Sequence, residues 1–265
     1  MYPILFRSGD LVISTYLALI SFVSCVIVVW AYARATHLGL SQTRALDLTI
    51  IVMIGGFAGA RLAHEFYEYP EIYLKDPLRI AYFWEGGFVF YGGAILGTLA
   101  GLIFLKAKKE PFAEWLDFAA PLASLGYAVG RVACFLGGCC FGKTCDLPWA
   151  VKFPAGVEAP EGVFVHPTQL YATLWETATL AILLFFESRN SRVLRKKGDL
   201  FFVWITLHGI GRILMESFRD DFRGSSPGGL SISSWISLAI IGLGFFFYLK
   251  PPPSKSKPPR SLPVA

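Results

Sequence analysis

The 265-residue chain reads as an all-α, polytopic membrane protein of about seven transmembrane helices, on three grounds. Hydrophobic residues make up 54% of it and charged residues only 16%, against about 25% charged in ordinary soluble domains. Several apolar runs approach or exceed the roughly 20 residues that cross a hydrocarbon core. The basic residues between those runs also fall unevenly on alternate sides: fourteen Lys and Arg lie in loops 34–46, 106–116, 188–198 and the tail, and seven lie on the opposite side. The positive-inside rule places the fourteen in the cytoplasm, with the N-terminus outside and the C-terminus inside. That arrangement requires an odd number of spans.

The first span, 11–33, is too long for the apolar region of a signal peptide and no small-residue cleavage site follows it, so no secretory signal is expected. The second, 47–67, is interrupted by Arg61 and Glu65. Segment 72–85 is amphipathic, contains a proline and suits the membrane interface. The third span, 87–106, opens on a run of glycines, and the fourth, 117–141, carries Arg131 and runs into a group of cysteines. Spans 168–187, 199–218 and 229–249 complete the set. Residues 1–249 form one transmembrane domain, and the Pro-rich basic tail 250–265 cannot form a helix and is expected to be disordered. The net charge of +5 then reflects cytoplasmic loops, and no nucleic-acid partner is expected.

Three arginines, Arg61, Arg131 and Arg212, fall inside or at the edge of apolar spans. A mid-bilayer arginine costs about 2.5–3.5 kcal/mol on insertion scales, and it cannot shed its charge. Each must face protein, water or an anion. Arg61 can pair with Glu65 and Arg212 with Glu216, both one helical turn on. Arg131 has no carboxylate within a turn, and so has the strongest claim to a diffusible anion. In a membrane the abundant anion is the lipid phosphate, which the guanidinium fork fits through two oxygens. Arg131 and Arg212 converging on one phosphodiester would hold a headgroup and stabilise a departing phosphate.

Gly86, Gly87, Gly92, Gly93 and Gly97 admit two compatible readings: close helix packing, or a broken helix that makes room for a headgroup. Cys134, Cys139, Cys140 and Cys145 form C-x4-CC-x4-C. This is not a standard zinc spacing, so no metal is expected. At an oxidising outer surface a Cys139–Cys145 or Cys140–Cys145 disulfide is open, while Cys134 and Cys25 read as small apolar filler.

The segments GGFAGARLAHEFY, DPLRIAYFW, WEGGFVFYGGAILG, GYAVGRVACFLGGCCFGK, VHPTQLY and GIGRILMESFRDD occur in this order. Together they resemble the bacterial prolipoprotein diacylglyceryl transferases over about residues 10–225. The resemblance implies a seven-helix enzyme of the bacterial inner membrane that needs no cofactor. It would move the diacylglyceryl group of phosphatidylglycerol onto the lipobox cysteine of a preprolipoprotein signal peptide, giving a thioether and glycerol phosphate. Arg131 matches the arginine of the family's G-R-x-x-N-F motif and Arg212 its essential arginine near the sixth span. Glu216 and Arg219 match the charged residues that follow, and Tyr16 matches a lipid-site tyrosine. His166, Pro167, Gln169 and Tyr171 match H-P-[ST]-Q-L-Y. Gly92 and Gly93 fall in the headgroup-binding segment.

The chain departs from the pattern at informative positions. Tyr91 stands where the best-known members carry a histidine. Cys134, Gly137 and Cys139 replace the N-F-x-N-x-E asparagines and glutamate. Tyrosine, with a pKa near 10, is a poorer base at neutral pH than histidine. Tyr91 and His208 are therefore both candidate catalytic groups, with His166 a further base, and His208 lies one turn before Arg212 on the same face. A Cys139–Cys145 bridge would replace the lost polar bracing of the Arg131 loop. The alternatives are a divergent paralogue with another acceptor, an inactive lipid-binding protein, or a transporter for an anionic solute. The absence of an inverted repeat opposes the last.

Overall fold

The computed structural model describes residues 2–9, 11–68, 70–82, 87–189, 193–220 and 230–251. The tail expected to be disordered therefore lies almost wholly outside the described residues, as does Gly86. The long helices are α1 (Thr15–His37), α2 (Gln42–Ala63), α4 (Phe90–Ala107), α5 (Phe112–Gly137), α6 (Thr168–Ser188), α7 (Asp199–Glu216) and α8 (Ile232–Leu249). Each lies within a few residues of an expected span. Between α2 and α4 a π-turn (His64–Glu68), at the end of the expected second span, is followed by the short α3 (Pro70–Lys75) and a 3-10 turn (Pro77–Ala81), which overlap the segment 72–85 read as interfacial.

Six of the long helices are long and apolar enough to cross a membrane. The exception, α7, carries three charged residues, Asp199, Arg212 and Glu216. Apolar side chains such as Val29, Ile54, Ile95, Ile103 and Leu174 are more than 60% exposed on the outside of the bundle. Such a surface requires lipid rather than water around it. The chain is a mostly helical, multi-pass membrane protein.

Two small antiparallel sheets modify the all-α expectation. Strand β1 (Ile4–Ser8) pairs with β2 (Leu11–Ser14), and β3 (Val151–Lys152) pairs with β4 (Phe164–Val165). The start of the first expected span is thus a strand. Leu11, Val12 and Ile13 are as apolar as the helix that follows, with only Ser14 and Thr15 between them. The boundary is Ser14, whose hydroxyl accepts from the Leu17 amide at 3.2 Å and caps α1. Ser41 and Ser231 cap α2 and α8 in the same way.

Small residues set the closest helix contact. α2 and α4 pack through Gly55, Gly59, Gly92, Gly93 and Gly97. A Cβ on Gly92 would strike the Gly59 carbonyl and Ala63, and one on Gly93 would lie 2.7 Å from the Gly56 carbonyl oxygen. Close packing, one of the two compatible readings of this glycine run, is present at Gly92, Gly93 and Gly97. Gly92 and Gly93 abut α2, because glycine is what lets two backbones approach this closely.

At one end of the bundle Trp115, Phe118, Leu48 and Leu105 form a buried apolar cluster. Beside it Arg34, counted as a loop residue from the sequence, is 4% exposed. It makes a fork-to-fork pair with Glu187 of α6, both contacts at 2.7 Å, and also donates to the Phe118 and Asp117 carbonyls. Asp117 accepts from the amides of Gly198 at 2.7 Å and Phe201 at 3.1 Å, fixing the start of α7 against the start of α5. Further along, Tyr127 of α5 meets Arg212 of α7, so the two helices run in the same direction. Arg131 and Arg212 each lie fourteen residues beyond the Asp117–Gly198 contact, about 21 Å along the axis at ~1.5 Å per residue.

Candidate active site

That shared direction brings the two arginines to one level, and Tyr127 joins them. The Arg131 guanidinium carbon lies 4.7 Å from the centroid of the Tyr127 ring, one turn before it on α5. The Tyr127 hydroxyl accepts from Arg212 Nη1 at 3.4 Å. Arg212 Nη2 also donates to the Ser233 hydroxyl of α8 and stands 3.6 Å from Glu216 Oε2. Arg212 thus has the carboxylate neighbour that its spacing implied, at a distance longer than a close charge-assisted hydrogen bond. Arg131 has no ion pair with any described carboxylate; an aromatic face is its neutral partner.

The third arginine of the apolar spans is separate. Arg61 Nε lies 3.1 Å from Glu65 Oε1, with Arg61 5% and Glu65 1% exposed. This is the structural pairing anticipated for it.

Beside Arg212 a small cleft opens between α5, α6 and α7, lined by Tyr127, Trp175, Glu176, His208, Arg212 and Met215. His208 lies edge-on to the Tyr127 ring, with centroids 4.6 Å apart. Its Nδ1 is 3.0 Å from Glu176 Oε2, while Glu176 Oε1 accepts from Trp204 Nε1 at 2.8 Å. Glu176 is 1% exposed. A buried carboxylate facing Nδ1 fixes the proton there and leaves Nε2 as the acceptor nitrogen, the orientation a general base requires.

The sequence reading missed Tyr127 and Glu176. Glu176 had a signal, a lone carboxylate in the middle of an apolar span, which by itself marks a functional position. Tyr127 had none, because its role depends on which helix faces α5.

The H-P-T-Q-L-Y segment braces the loop that follows Arg131. Thr168 Oγ1 donates to the Cys140 carbonyl at 2.8 Å, and Gln169 Nε2 donates to the Cys139 carbonyl at 2.6 Å. His166 Nδ1 lies 3.2 Å from the Tyr171 hydroxyl, which also accepts from Trp149 Nε1 at 2.7 Å. His166 therefore serves this brace rather than the His208 cleft. The Lys143 amide donates to the Phe218 carbonyl at 2.8 Å, tying the loop to the end of α7.

All five cysteines are free. The expected Cys139–Cys145 bridge is not formed, because the Cys139 sulfur turns towards Cys134 and Cys140. The Cys139 sulfur lies 3.7 Å from the Cys134 carbonyl oxygen, to which its thiol donates, and the sulfurs of Cys134, Cys139 and Cys140 lie within 4.8 Å of one another. Tyr16 of α1 is within electrostatic reach of Arg131 and these thiols, and its Cβ would lie 3.8 Å from a Cβ on Gly137. Tyr91 contacts the Phe90 ring and forms no hydrogen bond among the described residues. Of the expected set, Arg131, Arg212, His208, Glu216 and Tyr16 thus lie around the ends of α5 and α7, while Gly92 and Gly93 lie on α4 against α2, with Tyr91 on the same helix.

Residues 3–250 match the prolipoprotein diacylglyceryl transferase family. A protein of Clostridium tetani is 33% identical over 94% of this chain and 97% of its own length. One from Bordetella parapertussis is 34% identical over 96% and 97%, and one from a Nostoc species is 34% identical over 91% and 86%. All three carry the name phosphatidylglycerol–prolipoprotein diacylglyceryl transferase.

Proposed function

Because the chain belongs to the prolipoprotein diacylglyceryl transferase family, we propose that it transfers the diacylglyceryl group of phosphatidylglycerol to the lipobox cysteine thiol of preprolipoproteins, at the outer leaflet of a bacterial inner membrane. The observation that carries the site is the meeting of Arg131 and Arg212 at Tyr127. Two permanent positive charges at one level of the bundle, one without an ion pair to any described carboxylate, suit a lipid phosphodiester.

The chemistry each group supplies follows from its surroundings. The acceptor sulfur attacks the glycerol carbon that bears the phosphate. The C–O bond breaks, a C–S bond forms, and glycerol phosphate departs with the electron pair. Charge on the departing phosphate increases in the transition state, which is where Arg131 and Arg212 act. A free thiol with a pKa near 8.5 is only a few per cent ionised at neutral pH. His208 Nε2, oriented by Glu176 through Nδ1, receives the thiol proton. Glu216 and Tyr16 border the headgroup. The glycines of α4 contribute by fixing α4 on α2.

In the same reading α7 also crosses the membrane, as the sixth of seven spans, with its charges turned inward: Asp199 is fully buried, and the Arg212 and Glu216 side chains are 10% and 18% exposed. Seven spans place the N-terminus outside and the basic loops in the cytoplasm.

A transfer assay with radiolabelled phosphatidylglycerol and a lipobox peptide tests this function. The expected outcome is label on the peptide cysteine, in a bond resistant to thioester cleavage, with one glycerol phosphate released per peptide. Correctly inserted protein that labels no peptide and fails to rescue a strain depleted of its own transferase would overturn it.

A further inference from the structure

The transfer reaction makes no use of the thiols at the end of α5. Cys134, Cys139 and Cys140 place their sulfur atoms within 4.8 Å of one another. Sulfur ligands at about 2.3 Å from a tetrahedral zinc ion sit about 3.8 Å apart, so closing each gap takes a shift of about an ångström or less. We propose that these three cysteines form a thiolate site for a thiophilic divalent metal ion, zinc, leaving the fourth position of the tetrahedron open.

The objection raised by the sequence is that neighbouring cysteines seldom share one ion, since adjacent side chains ordinarily diverge. The backbone removes it. Cys140 has φ 62°, the left-handed region that costs a non-glycine residue about 1–2 kcal/mol, and here both adjacent sulfurs lie in one cluster. Side chains of α6 hold that conformation through the two carbonyls: Thr168 on Cys140 and Gln169 on Cys139. Fixed partners behind the ligand residues are a regular feature of metal sites.

Charge balance favours the same assignment. Three thiolates around a divalent ion carry a net charge of −1, and the permanent cation of Arg131 lies three residues, about one helical turn, before Cys134 on α5. Three ligands with one open position is the arrangement of catalytic rather than closed structural zinc sites. An ion there also ties the loop to the last turn of α5, three residues beyond Arg131. Cys145 takes no part, since its sulfur lies outside the cluster.

The test reads the ion and not the transfer reaction, so its failure is distinguishable from failure of the proposed function. The full chain in detergent, reduced and stripped with chelator, is titrated with Zn2+ alone. The expected result is one tightly held zinc per chain, with alkylation of Cys134, Cys139 and Cys140 slowed about tenfold or more, as ligation withdraws the nucleophile, and that of Cys145 unchanged. Cys139→Ser loses the ion and the thiolate-to-metal absorption seen with Co2+, and Cys145→Ser keeps both. No zinc uptake by the reduced wild-type chain, wild-type uptake by Cys139→Ser, or no protection of the three thiols would each overturn the site. The protection measurement uses the wild-type chain, so it holds even where a variant misfolds.

Discussion

Replacing Arg131 with lysine keeps a positive charge near the end of α5 and removes the planar fork. An ammonium offers a point contact where guanidinium offers two parallel hydrogen bonds to a phosphate. One hydrogen bond to a charged group is worth about 1.5–3 kcal/mol, and about 1.4 kcal/mol is a factor of ten in rate. Arg131→Lys should therefore lower kcat/KM by about 10–150-fold. The surroundings of Arg131 keep this loss separate from folding. Its neighbour is the Tyr127 ring at 4.7 Å, and a lysine over that face retains part of a contact worth about 0.5–1 kcal/mol. No described carboxylate is left bare by the change. Arg131→Ala removes the charge as well and should fall by about 10²–10³ or more, the range for loss of one preorganised donor to a developing anion. The assay is transfer of labelled lipid to a lipobox peptide, normalised to membrane-inserted protein, with helical content checked by circular dichroism. Near-normal turnover in Arg131→Lys would refute the bidentate reading, and near-normal turnover in Arg131→Ala would remove Arg131 from the chemistry.

The neighbouring residues yield further expectations. Tyr127→Phe keeps the ring beneath Arg131 but deletes the acceptor for Arg212; a loss of about 1 kcal/mol should appear as a several-fold fall in kcat/KM, and an unchanged value would show that the hydroxyl does not position Arg212. Glu176→Gln frees His208 from its orienting carboxylate and should lower kcat by about 10²-fold or more with little change in KM; equal changes in both constants would argue for a binding role instead. Gly92→Leu should cost about 3 kcal/mol or more by overpacking, because its Cβ meets Gly59 and Ala63, and should be read as a lower melting temperature in detergent; wild-type stability would contradict the α2–α4 contact.

The spans were legible because crossing a hydrocarbon core imposes a composition on about 20 consecutive residues. The first was drawn from residue 11, and the structure begins its helix at Thr15, since a short strand is as apolar as the helix it precedes. The pairs Arg61–Glu65 and Arg212–Glu216 were legible for a similar reason: spacing of one turn fixes proximity on a helix whatever surrounds it. The isolation of Arg131 could be read too, from the lack of acids within a turn.

Contacts between helices were not legible. That Gly92 and Gly93 face α2, that Tyr127 lies between two arginines, and that Glu176 reaches His208 from another helix all depend on rotation about helix axes, which α2–α4 glycine packing and the Asp117–Gly198 anchor determine. The cysteine run shows the same division. Its spacing argued against a shared ligand, and a left-handed backbone at Cys140, held by α6 side chains, brought adjacent sulfurs into one cluster. By itself the sequence determined what each segment had to do about water and charge, because solvation acts residue by residue. Only the tertiary structure decided which charged, aromatic and thiol groups meet, because that follows from how separate helices turn towards one another.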